Sequence, residues 1–295
     1  MANASPRWLE GACCGHAARA GGRGRAGVPG LDGTGEPVVL IHGGVLADGL
    51  SPLASEPALA EHHRIISYHR VGYAGSSKAQ SEVEIADQAA HCRALLDHLE
   101  VQRAHVVGHS SGAMIALQLA HDAPQHVATL ALLELPDFQQ PGSADFAETR
   151  LAPSFQRYGG GDKAGAVDAF MRGVCGPSGW EAAKRALPEG ALDRATVDAD
   201  TFFGVETPSG QRWRLEEAAS GVAAPLMLVM GALSPDVHRV YTEAYDAMLS
   251  RFPDAEPYLL PGATHKLALD NPTDLAAALA DFIGRHPLNG QSSSR

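Results

Sequence analysis

The chain has 295 residues, with 23 lysines and arginines against 34 aspartates and glutamates, a formal net charge of −11. That acidic balance argues against nucleic acid or an anionic membrane as the main partner, because both recruit a basic footprint. With 45 % apolar residues and no run of about 20 of them, the composition excludes a membrane span and fits a soluble globular protein with a sizeable core.

Residues 1–35 are rich in Gly, Ala and Arg and carry no strand or helix period. They are expected to be poorly ordered. Arg7, Arg19, Arg23 and Arg25 flank no continuous apolar stretch, so a secretory signal is not expected and the default location is cytoplasmic. Gly22, Gly24 and Gly27 match a G-x-G-x-x-G spacing, but no apolar strand precedes them, as a dinucleotide site would need. Cys13, Cys14, Cys92 and Cys175 show no C-x-x-C spacing and read as free thiols.

Regular structure begins at Pro37. Val38-Val39-Leu40-Ile41 is a short β-branched run that ends at His42-Gly43-Gly44, the pattern of a strand buried on both faces. Further strands are expected at 64–68, 104–107, 127–133, 225–230 and 257–260. Helices are expected at 82–99, where Ile85, Ala89, Cys92, Leu95 and Leu99 share one face, and from Ser111 to about His121. Asn271 is placed to cap a last helix that starts at Pro272 and runs to about Ile283. Strands alternating with helices predict an α/β fold, a mostly parallel sheet covered on both faces.

The alternation stops at residues 136–222, which hold helical pieces at 163–174, 181–186 and 192–202 but no strand. The expected organisation is therefore an N-terminal segment 1–35, a core of 36–135 and 223–288 interrupted by a helical lid 136–222, and a tail 289–295. The lid carries nine of the aromatic residues. Such an insertion suits an apolar substrate pocket, or its aromatics form only its own core. Phe202, Phe203 and Trp180 are the expected lining residues.

Gly108-His109-Ser110-Ser111-Gly112 follows a β-branched strand and opens a helix, the context in which G-x-S-x-G exposes a serine at a sharp turn. Small residues at 108 and 112 leave room for the turn. The N–H of Ser111, at the helix N-terminus, is placed to stabilise an anion.

Four motifs together resemble the α/β-hydrolase fold family with a helical lid. They are Val39-Leu40-Ile41-His42-Gly43-Gly44, the turn from Tyr68 to Ser77, the Ser110 pentapeptide, and Leu260-Pro261-Gly262-Ala263-Thr264-His265. The likeness runs from about Pro37 to the last helix. It implies Ser110 as nucleophile and His265 as base, since a serine hydroxyl needs an imidazole to take its proton. The acid of this family usually stands at the position held here by Ser234, which carries no charge. Asp236 lies two residues later. Glu134 interrupts the apolar run Leu132-Leu133-Glu134-Leu135, where a carboxylate calls for a partner. Hydrolases with a Glu after this strand, such as the fungal zearalenone lactonases, share similar Ser-Ser-Gly-Ala and Glu-Leu-Pro segments. Glu134 is therefore assigned as the acid, with Asp236 as the alternative.

The resemblance implies an oxyanion hole from the N–H groups of Gly44 and Ser111, with Val45 next in line. Arg70 and His42 are expected in structural roles. No metal-ligand pattern is present among the 14 histidines, and no cofactor is implied. The expected activity is hydrolysis of an apolar carboxylic ester or lactone through an acyl-enzyme. A serine rather than an aspartate at the turn argues against epoxide hydrolase or haloalkane dehalogenase chemistry. Carbon–carbon bond hydrolysis, perhydrolysis and a non-catalytic ligand receptor are the alternatives the same fold hosts.

Overall fold

A computed structural model describes residues 34–78 and 82–288. The segment 1–33, with Cys13 and Cys14, and the tail 289–295 lie outside the described residues. Six strands form one parallel sheet: β1 (Glu36–Ile41), β2 (His63–Ser67), β3 (Ala104–His109), β4 (Val127–Leu133), β5 (Leu226–Gly231) and β6 (Glu256–Leu260). Their order is β2-β1-β3-β4-β5-β6. The chain leaves β1 outward to β2 and returns to β3, so the direction of winding reverses between β1 and β3. Ligand sites of open α/β sheets lie at such a reversal, beyond the strand C-termini.

β-branched and leucine side chains alternate between the two faces of each strand. Val39, Ile41, Val106, Leu130 and Leu132 pack under the helices α1 (Ile85–His98) and α2 (Ser111–Asp122). Val38, Leu40, Val107, Ala131 and Leu133 face the opposite layer, which includes the last helix. Both faces of the inner strands β1, β3, β4 and β5 are covered, which is why they read as continuous apolar runs, whereas the edge strand β6 alternates between exposed and covered residues. No helix among the described residues is long and apolar enough to cross a membrane.

Between β4 and β5 the described residues form helices, among them α3 (Ala152–Gly159), α4 (Lys163–Ala183) and α5 (Ala191–Val197). After β5 come α6 (Val240–Arg251) and α7 (Pro272–Gly284). The Asn271 side chain accepts from the Asp274 N–H and so caps α7.

Several strand ends shift by one or two residues, and three of the helical readings differ more substantially. α1 starts at Ile85, because Glu84 is extended and forms a reciprocal capping pair with Asp87. The pieces expected at 163–174 and 181–186 run together through a kink at Gly176, whose φ of 71° only glycine adopts freely, followed by Pro177. The piece expected at 192–202 breaks after Val197. There the buried Asp198 turns away to accept from the Ala74 N–H at 2.6 Å and the Lys78 ammonium at 2.7 Å.

Candidate active site

The turn after β3 is built by close contact. A Cβ on Gly108 would lie 2.3 Å from the Gly112 carbonyl, and one on Gly112 would lie 2.2 Å from the Ile41 carbonyl. Only hydrogen fits at either place, so the first turn of α2 can sit against the end of β1. Ser110 is forced to φ 54° and ψ −124°. A non-glycine residue pays for that conformation with about 1–3 kcal/mol. Its N–H still finds a partner, the Leu133 carbonyl at 2.9 Å.

The neighbouring strand repeats the manoeuvre. His109 pairs with Leu133, so Ser110 and Glu134 each follow the last ladder position of adjacent strands. Glu134 also has positive φ, 46°, and donates its N–H to the Val229 carbonyl at 2.9 Å. Both side chains are thereby thrown toward the loop after β6, which carries His265.

That loop is tied down from several sides. The Thr264 N–H and hydroxyl donate to Asp270 at 2.8 and 2.7 Å. His109 Nε2 donates to the His265 carbonyl at 2.7 Å. A Cβ on Gly231 would lie 2.5 Å from the Ala263 carbonyl, so the end of β5 abuts the loop directly.

His265 Nδ1 lies 2.6 Å from Glu134 Oε2, and His265 Nε2 lies 3.1 Å from Ser110 Oγ. The second carboxylate oxygen, Glu134 Oε1, accepts from the Gly231 N–H at 2.8 Å and the Ser234 hydroxyl at 2.5 Å. Both partners of Oε1 are donors and favour the ionised carboxylate; with Glu134 ionised, His265 donates its Nδ1–H to Oε2 and leaves Nε2 bare beside the serine hydroxyl. Burial pushes the Glu134 carboxyl up to about 7, against the pull of Ser234, Gly231 and the Lys266 charge. Burial, reinforced by Lys266, holds His265 well below 6.5. The resting imidazole is therefore neutral at pH 7.

These groups open onto a cavity of about 420 Å³. Gly44, Ser110, Ser111, Glu134, His265 and Lys266 line it, together with apolar residues such as Met114, Phe138, Phe155, Phe170 and Val174. Phe202 also lines it and lies so close over Gly44 that a Cβ there would meet the ring at 2.3 Å.

Two of the expected lining residues stand elsewhere. Trp180 is buried behind the cavity wall, because its indole N–H needs a polar partner and finds Asp168 at 2.8 Å. Phe203 turns into the insertion's own core, stacked on Tyr158 with centroids 4.9 Å apart and edge-on to Phe155. Asp236, the alternative acid, is exposed on a short helix, and the imidazole nitrogen it would have to reach is held by Glu134. Among the described residues, no group of three His, Cys, Asp or Glu side chains could hold a metal ion.

Arg70 does more than its sequence context announced. It is 2 % exposed. Its guanidinium donates to the Gly43 carbonyl at 3.0 Å, to Glu206 at 3.1 Å, and to Gln88. Its backbone N–H donates to His42 Nε2 at 3.1 Å, while His42 Nδ1 donates to the Gly43 carbonyl at 2.7 Å. Tyr73 donates its hydroxyl to the other oxygen of Glu206. The glycine loop after β1 is thus joined to the helical insertion through a dry ion pair. Arg70→Met would leave Glu206 buried and without its cation, at a cost of about 3–5 kcal/mol. The melting temperature is expected to fall by roughly 10 °C, at about 2–4 °C per kcal/mol for a chain of this size. A thermal melt checks it.

The chain belongs to the α/β-hydrolase fold family, whose model matches residues 36–272. It is 27 % identical over 303 residues to epoxide hydrolase A of Mycobacterium tuberculosis, covering 84 % of this chain and 91 % of that protein. A shorter stretch of 99 residues is 39 % identical to the dihydrolipoyllysine-residue acetyltransferase component of the acetoin cleaving system of Pseudomonas putida. It takes in 34 % of this chain but only 26 % of that protein's length. Among solved structures, Est816, described as an N-acyl homoserine lactone degrading enzyme, superposes with a TM-score of 0.65 at 22 % identity, covering 85 % of this chain and 94 % of that one. A thermophilic esterase from Thermogutta terrifontis gives 0.70 at 18 % identity, covering 86 % and 92 %. At these identities the structural likeness speaks for the fold.

Proposed function

We propose that the chain is a serine hydrolase that cleaves a carboxylic ester or lactone through an acyl-enzyme. The observation that carries this is the unbroken line of hydrogen bonds from Ser110 through His265 to Glu134, 3.1 and 2.6 Å long, opening on the cavity. His265 Nε2 takes the Ser110 proton as Oγ attacks the substrate carbonyl. Glu134 holds the Nδ1 tautomer and stabilises the imidazolium that forms. The oxyanion is received by the N–H groups of Gly44 and Ser111, each such donor typically being worth on the order of 10²–10³ in turnover. His265 then returns the proton to the leaving alkoxide. In a lactone that alcohol stays tethered. Water, deprotonated by the same imidazole, releases the acid.

The epoxide hydrolase relative does not move this reading, because an alkyl-enzyme route needs a carboxylate where this chain has Ser110. The aromatic cavity wall favours an apolar substrate body. The test is a panel of short- to medium-chain nitrophenyl esters and ring lactones, with the acyl-enzyme trapped and weighed by mass spectrometry. Steady turnover with the acyl mass on the peptide carrying Ser110 is expected. No turnover on any member, and no adduct on Ser110, would remove the proposal and bring a receptor role forward.

A further inference from the structure

Three carboxylates border the cavity besides the polar groups of the loop, and all three are satisfied. Glu134 has His265, Gly231 and Ser234. Glu206 has Arg70 and Tyr73. Asp137 accepts from the Gln139 N–H at 2.9 Å and the Gln140 amide at 2.6 Å. The one lysine that lines the cavity, Lys266, is not matched in this way. Its residue is 3 % exposed. Among the described residues, no hydrogen-bond acceptor meets its ammonium and no carboxylate oxygen lies within 4.0 Å of it. Asp270, in the next turn, spends its Oδ2 on Thr264 instead. Nor is the Nζ sealed in, since the fully enclosed polar side-chain atoms without a partner lie at other residues. An ammonium so largely buried, with no acceptor from the described residues beside the candidate base, is a costly arrangement for the free protein. An anion in the cavity would relieve it, in a setting where the attraction is little screened by water.

We propose that Lys266 is a specificity residue that binds a carboxylate carried by the substrate, so that the preferred substrates are half-esters or lactone acids with an anionic group near the scissile bond and an otherwise apolar body. This rests on the hydrolase reading above and names the substrate class for it. The lysine follows His265 directly in the chain, which confines its partner to the neighbourhood of the reacting carbonyl. The phenyl and aliphatic side chains that line the same cavity take the remainder of the substrate.

Two measurements test it. The first compares kcat/KM for the monoethyl and diethyl esters of succinate, glutarate and adipate, in the native chain and in Lys266→Met and Lys266→Arg. The native chain is expected to favour at least one monoester over its diester by tenfold or more. Lys266→Met should erase that ratio, whatever it does to the absolute rates, and Lys266→Arg should keep part of it. Diester turnover with no monoester preference, or a ratio unmoved in Lys266→Met, overturns the proposal and leaves the hydrolase reading standing.

The second measurement needs no turnover. The monoamides of the same diacids are titrated calorimetrically into Ser110→Ala, with and without Lys266→Met. Binding at least tenfold weaker without the lysine is expected. Equal or undetectable binding in both overturns the proposal even if no ester is hydrolysed. Thermal melts of Lys266→Met control for folding. Loss of an unpaired buried charge should leave the melting temperature unchanged or higher, whereas a lysine kept only for structure would lower it.

Discussion

Ser110→Ala is expected to reduce kcat on any ester the chain accepts by about 10⁶, the scale seen when the nucleophile of a serine–histidine pair is removed. Binding should persist, since the cavity wall and the oxyanion donors are untouched, and KM should move little. The fold should also persist. Alanine at φ 54° inherits the strain that serine already bears, and the N–H bond to Leu133 does not depend on the side chain. Ser110→Gly separates chemistry from stability. It should be equally inactive yet more stable by about 1 kcal/mol, because glycine enters the left-handed region without steric cost. Initial rates and thermal melts on the three chains decide it. A Ser110→Ala chain within tenfold of native activity would show that another group attacks the substrate.

Glu134→Gln carries the next largest effect, a loss of about 10⁴ in kcat, by the logic of an aspartate-to-asparagine change in such a triad. The amide oxygen can keep the bonds from Gly231 and Ser234. Its NH₂ then faces His265 Nδ1, which must become an acceptor. The ring proton moves to Nε2, where it points at Ser110, and the base is disarmed although nothing has shifted. The Ser234 hydroxyl, 2.5 Å from Glu134 Oε1, marks where a rescuing carboxylate could stand. Glu134→Ala with Ser234→Asp is therefore expected to recover part of the lost rate, and Glu134→Ala with Asp236 left in place to recover none. Single-turnover rates on a nitrophenyl ester measure both. Native-like rates in Glu134→Gln would mean that the contact orients His265 without being needed for proton transfer.

The sheet and the residues at its C-terminal edge were readable because each rests on local chemistry. β-branched runs bounded by glycine turns mark strands buried on both faces. The Ser110 pentapeptide announces a crowded turn, and Glu134 stands out as a lone carboxylate in an apolar run. Cavity lining was readable only in part, Phe202 but not Trp180 or Phe203, because it depends on how each helix of the insertion is rotated. The kink at Gly176 and the break after Val197 reset that rotation. Trp180 and Phe202 are equally good aromatic candidates in the sequence, yet one hides behind Asp168 and the other covers Gly44. Arg70 and Glu206 are separated by 136 positions, and no pattern of residues along the chain joins them. Lys266 is marked in the sequence only as a charge beside the candidate histidine, at the head of the apolar stretch Leu267-Ala268-Leu269.

The Arg70–Glu206 pair bears on how this enzyme could diverge. Glu206 belongs to the insertion that shapes the cavity, while Arg70 grips the Gly43 carbonyl, one residue before the proposed oxyanion donor. Selectivity and rate are therefore inherited together. An insertion exchanged for that of a relative would bring its own pocket but leave the guanidinium without its anion and the glycine loop without its anchor. New substrates are more accessible through point changes on the aromatic wall, which the rivet does not touch, than through wholesale replacement of the cap.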